Sequence, residues 1–151
     1  MCGIFGAISN GAVEEKKLRI LAMHSRQRGS DSSGLVYYDG TGYKIERADY
    51  DITQLLKKGN WSRSNVVMGH SRLITNGLLD NQPVVRDGLF VIHNGIIVNE
   101  EKIWESIGLT RHFQIDSEAI IAIAVKHLDK GGELAELPEK ILSTCDGTVA
   151  A

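Results

Sequence analysis

The sequence predicts an α+β fold built on mainly antiparallel sheets. Two hairpin signals carry the prediction, Asp39-Gly40-Thr41-Gly42 and Arg86-Asp87-Gly88, each flanked by short apolar runs. Helical stretches are interspersed with the strands, but the hairpins argue against a parallel, doubly wound sheet, which needs crossover helices between its strands. A length of 151 residues fits one compact domain with a core of its own.

The elements follow in order. Residues 2–9 are a short apolar run with Ile4, Phe5 and Ile8, ended by the turn signal Asn10-Gly11, and read as a buried strand. Residues 13–27 carry Leu18, Leu21 and Ala22 at helical spacing, with charge on the other face. Residues 35–38 and 43–47 are the strands of the first hairpin, 52–58 a short helix, and 65–71 a strand with Val66, Val67 and Met68. Residues 84–85 and 89–93 form the second hairpin. Residues 100–107 read as a helix closed by Gly108. Residues 117–128 read as an apolar helix capped by Asp116 or Ser117, and residues 133–144 as another helix. Residues 148–151 begin like a strand with no partner after it. On this reading the domain is truncated at its C-terminus, leaving an open sheet edge.

Composition narrows the function classes. At 42% hydrophobic and 24% charged residues the chain matches ordinary soluble globular proteins. A net charge of -2 gives no general pull toward nucleic acid or anionic lipid. Glu14-Glu15-Lys16-Lys17 alternates in sign by pairs and reads as a solvated helix face. No apolar run approaches membrane-spanning length, and the N-terminus lacks the pattern of a signal peptide. Cys2 and Cys145 could form one disulfide, but nothing else points to an oxidising compartment. The expected setting is therefore the reducing cytoplasm, with no nucleic-acid or membrane partner.

The chemistry begins at Met1-Cys2-Gly3. Removal of Met1 would give Cys2 a free α-amine, and so place a nucleophile and a base in one residue. A free thiol titrates near pH 8.5 and an α-amine near 7.7–8.0, so the amine suits general-base work at neutral pH. The thiolate can then attack an amide carbonyl and form a thioester. While Met1 stays attached, that base is missing. Taken alone, Cys2 is as easily a small buried residue at the start of an edge strand. Three further segments change this: Arg28-Gly29-Ser30-Asp31-Ser32-Ser33-Gly34, Gly69-His70-Ser71-Arg72-Leu73-Ile74-Thr75-Asn76-Gly77 and His93-Asn94-Gly95-Ile96-Ile97-Val98-Asn99. Each sets polar side chains beside an apolar strand, where active-site loops usually sit.

With the opening Met-Cys-Gly-Ile-Phe-Gly, these segments resemble the glutaminase domain of class II, N-terminal-nucleophile (Ntn) glutamine amidotransferases. The match runs from Cys2 to about Asp116 and weakly on to Gly147. The resemblance implies an Ntn-hydrolase-like αββα sandwich spanning residues 1–151. It also implies hydrolysis of L-glutamine to L-glutamate and ammonia, with the ammonia passing to a synthase domain or partner.

Cys2 would be the nucleophile. The Asn94 side-chain amide and the Gly95 backbone N–H would form the oxyanion hole. Arg72 would bind the substrate α-carboxylate through paired, charge-assisted hydrogen bonds. Asp116 would hold the α-amino group, Thr75 and Gly77 would line the pocket, and Arg28 would sit near the nucleophile. Plainer readings stand beside these: a solvated surface ion pair for Arg72, a hairpin turn for Asn94-Gly95, and a helix cap for Asp116.

His70 and His93 invite a Cys–His pair, but the family uses its terminal amine. His24, His112 and His127 do not fall at metal-ligand spacing. No metal and no organic cofactor is expected. Leu73 and Asn76 depart from the hexosephosphate aminotransferase pattern, and Gln82-Pro83 matches the phosphoribosyl-type enzymes, so the subfamily stays open. An Ntn acylase acting on another amide, or a non-catalytic binding module, are the alternatives.

Overall fold

The computed structural model describes residues 2–73 and 81–151. The chain divides into two compact units, Met1–Pro83 and Val84–Ala151.

The first unit holds β1 (Gly3–Ile8), α1 (Glu15–Arg26), β2 (Ser32–Tyr38), β3 (Tyr43–Ala48), α2 (Ile52–Lys58) and β4 (Val66–Arg72). The strands form one sheet in the order β1-β4-β2-β3, and every neighbouring pair is antiparallel. The first hairpin forms as expected. Asp39 closes its turn by accepting from the Thr41 and Gly42 N–H groups at 2.9 and 3.0 Å. Such a carboxylate replaces the backbone partners that a turn leaves unsatisfied.

The helices pack on this sheet through Leu18, Ala22, Ile52 and Leu55, which join Phe5, Leu35 and Val67 in one core cluster. Fully burying each large aliphatic side chain stabilises by about 1.5–3 kcal/mol. The buried stripe of α1 is Leu18, Ala22 and Ser25, whereas Leu21, expected to face inward, is 37% exposed. Spacing of i, i+4 and i+7 sets that stripe. β1 is an edge strand, so only part of it is covered and Ile8 is 73% exposed.

The second unit holds β5 (Val84–Arg86), β6 (Leu89–Val91), β7 (Asn94–Ile97), α3 (Glu100–Ile107), α4 (Ser117–Asp129), a 3-10 turn (Leu134–Glu136), α5 (Leu137–Thr144) and β8 (Gly147–Ala150). β5 and β6 form the second hairpin, with Asp87 and Gly88 both at positive φ (46° and 79°). Two such residues make the turn whose twist suits a tight hairpin. α3 ends at Gly108, which is left-handed. α4 is buried from Ser117 to Val125, and Ile120 and Ile123 pack with Ile97, Ile103 and Ile107. A helix apolar on nearly all sides belongs inside its unit.

Two expectations change here. The stretch 133–144 is not one helix. Glu133 and Glu136 cap the 3-10 turn reciprocally, and Pro138 then opens α5. Asn94 and Gly95 do not form a turn but begin β7. The C-terminal strand, β8, pairs antiparallel with β7, from Asn94 opposite Ala150 to Ile97 opposite Gly147. That partner lies about fifty residues earlier in the chain, beyond the reach of local pattern. Among the described residues no helix is long and apolar enough to cross a membrane.

Asp51 caps α2. Its carboxylate accepts from the Thr53 N–H at 2.9 Å and the Gln54 N–H at 3.4 Å, with Arg26 Nε 3.4 Å away. Burial works to raise this carboxyl, but hydrogen bonds from Thr53 and Gln54 and the nearby Arg26 outweigh it and hold it below the usual carboxylate range. Its contribution is therefore present at neutral pH and lost as pH falls through the folded-state value. Asp51→Ala should cost about 1 kcal/mol in urea denaturation at pH 7, and the deficit should shrink as the pH is lowered into the acid range. A deficit that does not change with pH would show that the cap works without its charge.

Candidate active site

The pairing of β1 with β4 sets the geometry around Cys2. Gly3 stands opposite Ser71, so Cys2 and Arg72 each lie one residue past the same registered pair. On its other side Arg72 pairs with Ser32, at the start of β2. Directly paired Cα atoms in such a ladder lie about 4.5–5.5 Å apart. One end of the sheet thus gathers Cys2, Arg72 and the loop that leads into β2. Arg72 is 8% exposed, too buried for the plain surface ion pair.

The 28–31 loop closes against this end. Arg28 Nε donates to the Cys2 carbonyl at 3.1 Å, and the Asp31 N–H donates to the Arg72 carbonyl at 3.0 Å. Gly29 lies flat on the Arg72–Leu73 backbone, where any Cβ would collide with the Arg72 carbonyl group. The C-terminal end of α1 leans on the same corner, where Ser25 Oγ donates to Ser71 Oγ at 2.9 Å. The first unit therefore brings together Cys2, Arg28 and Arg72. Thr75 and Gly77 lie outside the described residues.

In the second unit, Asn94 and Gly95 open β7, and Asp116 stands at the start of α4. The helix-cap reading of Asp116 does not hold. The residue is itself helical in conformation and its side chain makes no cap hydrogen bond. Its Oδ2 instead accepts from the Ile97 N–H at 2.9 Å, tying the helix start to β7. A carboxylate has about four lone-pair sites, so this bond leaves others for a ligand. A Cβ on Gly95 would collide with the Thr148 carbonyl, so β8 can approach only because the residue is glycine.

His70 is fully buried in mid-sheet, opposite Ile4 and Gly34. His93 places its ring nitrogens 3.1 Å from Ser117 Oγ and 3.3 Å from Thr148 O.

Sequence reasoning missed several supports. Glu118 is 1% exposed and accepts from Arg86 at 3.1 Å and from the His112 and Phe113 N–H groups. A lone acid within an apolar helix was its only signal. Asn99 Nδ2 donates to Thr144 O at 3.0 Å and its Oδ1 accepts from the Asp146 N–H at 2.9 Å, joining the ends of α3 and α5. The Ser25–Ser71 bond carried no signal beyond the spacing of α1.

The two thiols are not joined. Burial pushes the Cys145 thiol up, and Asp146 and Asp116 add to the effect. A raised pKa means less thiolate at neutral pH.

The first strand of this helix-flanked antiparallel sheet follows directly on Cys2, and the chain is homologous to the class II, N-terminal-nucleophile glutamine amidotransferases over nearly its whole length. The particular relatives are two kinds of enzyme. The chain is 30% identical over 158 residues to the glutamine–fructose-6-phosphate aminotransferase (isomerizing) of Agrobacterium fabrum, covering 99% of this chain and 26% of that protein. It is 32% identical over 145 residues to the protein of the same name from Escherichia coli K12, covering 90% and 24%.

Among solved structures it matches the glutamine phosphoribosylpyrophosphate amidotransferase of B. subtilis, in complex with ADP and GMP, with a TM-score of 0.72 at 24% identity, covering 99% of this chain and 34% of that one. A structure described as the allosteric regulatory enzyme of purine biosynthesis matches with a TM-score of 0.72 at 25% identity. No family model matches the chain. The chain spans about a quarter of the length of the curated relatives it matches.

In a Cys2→Ser variant, alkylation of Cys145 followed by mass spectrometry across pH should give an apparent pKa above that of an ordinary thiol. A rate profile like that of a free cysteine would contradict the buried setting.

Proposed function

We propose that residues 1–151 form a glutaminase domain that hydrolyses the side-chain amide of L-glutamine to L-glutamate and ammonia through a Cys2 thioester. The observation that carries this reading is the β1–β4 register, which sets Cys2 next to Arg72 at one end of the sheet. The homology to glutamine amidotransferases supports the choice of substrate.

In this reading, removal of Met1 frees the Cys2 α-amine, which takes the thiol proton. The thiolate adds to the amide carbonyl carbon, and the Asn94 side-chain amide and the Gly95 N–H donate to the resulting oxyanion. The ammonium formed from the α-amine protonates the leaving nitrogen, ammonia departs, and the thioester remains. Water, deprotonated by the same amine, attacks the thioester carbonyl. Glutamate leaves and the thiol is restored. Arg72 holds the substrate α-carboxylate and Asp116 its α-ammonium, an arrangement that selects the amino-acid end of glutamine over an apolar acyl group. Thr75 and Gly77 line the pocket. Arg28, by gripping the Cys2 carbonyl, steadies the residue that attacks.

The ammonia would feed a synthase domain or subunit, in keeping with relatives about four times as long that are named as aminotransferases. A cytoplasmic setting suits a thiol nucleophile.

The test combines N-terminal mass with ammonia release. Chains beginning at Cys2 should hydrolyse glutamine and gain the mass of an electrophilic ketone analogue at Cys2. Cys2→Ala should do neither, and persistent ammonia release by this variant would remove the mechanism. Arg72→Ala should raise KM by roughly tenfold to a hundredfold with a smaller effect on kcat. Asn94→Ala should lower kcat by roughly a hundredfold or more. Unchanged turnover would strip Asn94 of its role.

A further inference from the structure

His93 is 2% exposed and occupies the short link between β6 and β7, directly before Asn94. Its Nε2 lies 3.3 Å from the Thr148 carbonyl oxygen. A carbonyl oxygen can only accept, so Nε2 carries the ring proton. Nδ1 faces the Ser117 hydroxyl at 3.1 Å. That hydroxyl donates to Asp116 Oδ1 at 3.4 Å, and His93 Nδ1 itself lies 3.9 Å from the same oxygen. Asp116 Oδ2 in turn accepts from the Ile97 N–H. The contacts form a closed ring from His93 through Ser117 and Asp116 to Ile97, and back along β7 to His93.

The Nε2 end of the imidazole also bears on Gly95. A Cβ on this glycine would lie 2.6 Å from His93 Nε2, as well as colliding with the Thr148 carbonyl. The Nε2–H···O bond therefore occupies the space a side chain would need, and it braces β7 against β8 at the residue after Asn94. One side chain thus touches the supports of two different proposed roles. A core histidine that merely satisfied its own nitrogens would have no need to join them.

We propose that His93 is a positioning residue for glutamine hydrolysis. Through Thr148 it fixes the strand that carries Asn94 and Gly95, and through Ser117 it fixes the helix start that carries Asp116. The proposal rests on the glutamine reading above and deepens it: His93 touches no reacting atom, and its two bonds serve two separable steps, turnover and substrate binding.

Two conservative variants cut one bond each. The amide of asparagine falls near the position of Nδ1, and that of glutamine near Nε2. His93→Asn keeps a partner for Ser117 and loses Thr148. It should lower kcat by roughly tenfold and leave the glutamine KM within about twofold. His93→Gln keeps Thr148 and loses Ser117, and should do the reverse. Ser117→Ala alone should raise KM to a similar extent as His93→Gln, and the two together should add little, since both cut one link. All rates are taken per active site titrated with the ketone analogue, which removes any loss of folded protein.

Variants that lower kcat and raise KM in the same proportion, or that match the wild type once titrated, would overturn the positioning role. Where neither His93 variant folds, an unchanged KM in Ser117→Ala overturns it. A wild-type chain starting at Cys2 that neither releases ammonia nor reacts with the analogue would instead bring down the glutamine reading itself.

Discussion

The antiparallel register of β1 on β4 is the constraint on which the first unit's chemistry depends. Side chains alternate along a strand, so a slip of one residue would turn each of them to the opposite face of the sheet. Gly3 opposite Ser71 therefore decides where Cys2 and Arg72 stand relative to one another. The register is held at its end by contacts outside the ladder. Ser25 reaches Ser71 from α1, Arg28 holds the Cys2 carbonyl, and the Asp31 N–H binds the Arg72 carbonyl beside the flat approach of Gly29. Cys2 itself lies outside β1, and Arg28 grips its carbonyl.

The second unit solves a similar problem with buried polar groups. Asp116, Ser117 and Glu118 are consecutive at the start of α4, and each turns to a different partner: the β7 backbone, the His93 imidazole, and the Arg86 guanidinium with two loop N–H groups. Burying such groups is costly unless they are hydrogen-bonded, and leaving one without its partner costs more than a well-packed apolar residue would. The arrangement commits the helix start to one position relative to β7. In the same unit the Cys145 thiol is pushed up by burial and by the nearby Asp146 and Asp116 carboxylates.

Much of this architecture was legible from local pattern. The limits of α2 and the Gly108 closure of α3 were read directly, because a run of apolar residues at helical spacing and a glycine at a helix end act within one or two turns. Both hairpins were legible for the same reason. The misreadings share a different cause. Asn94-Gly95 has the composition of a turn and became a strand because β8 supplies a partner from far along the chain. Asp116 has the composition of a cap and instead reaches Ile97. The 133–144 stretch has helical composition throughout, but its two glutamates close a separate turn before Pro138.

By itself, the sequence determined the class of fold and the order of most elements, and it offered candidate residues for the chemistry, since propensity, periodicity and functional-group type are properties of neighbouring residues. Only the tertiary structure decided that Cys2 lies beside Arg72, that β7 and β8 are partners, and that His93, Ser117 and Asp116 form one network. Those facts depend on contacts between residues that are distant in the chain. Close packing and the need to pair every buried polar group select among such contacts, and neither condition can be evaluated until the chain has folded.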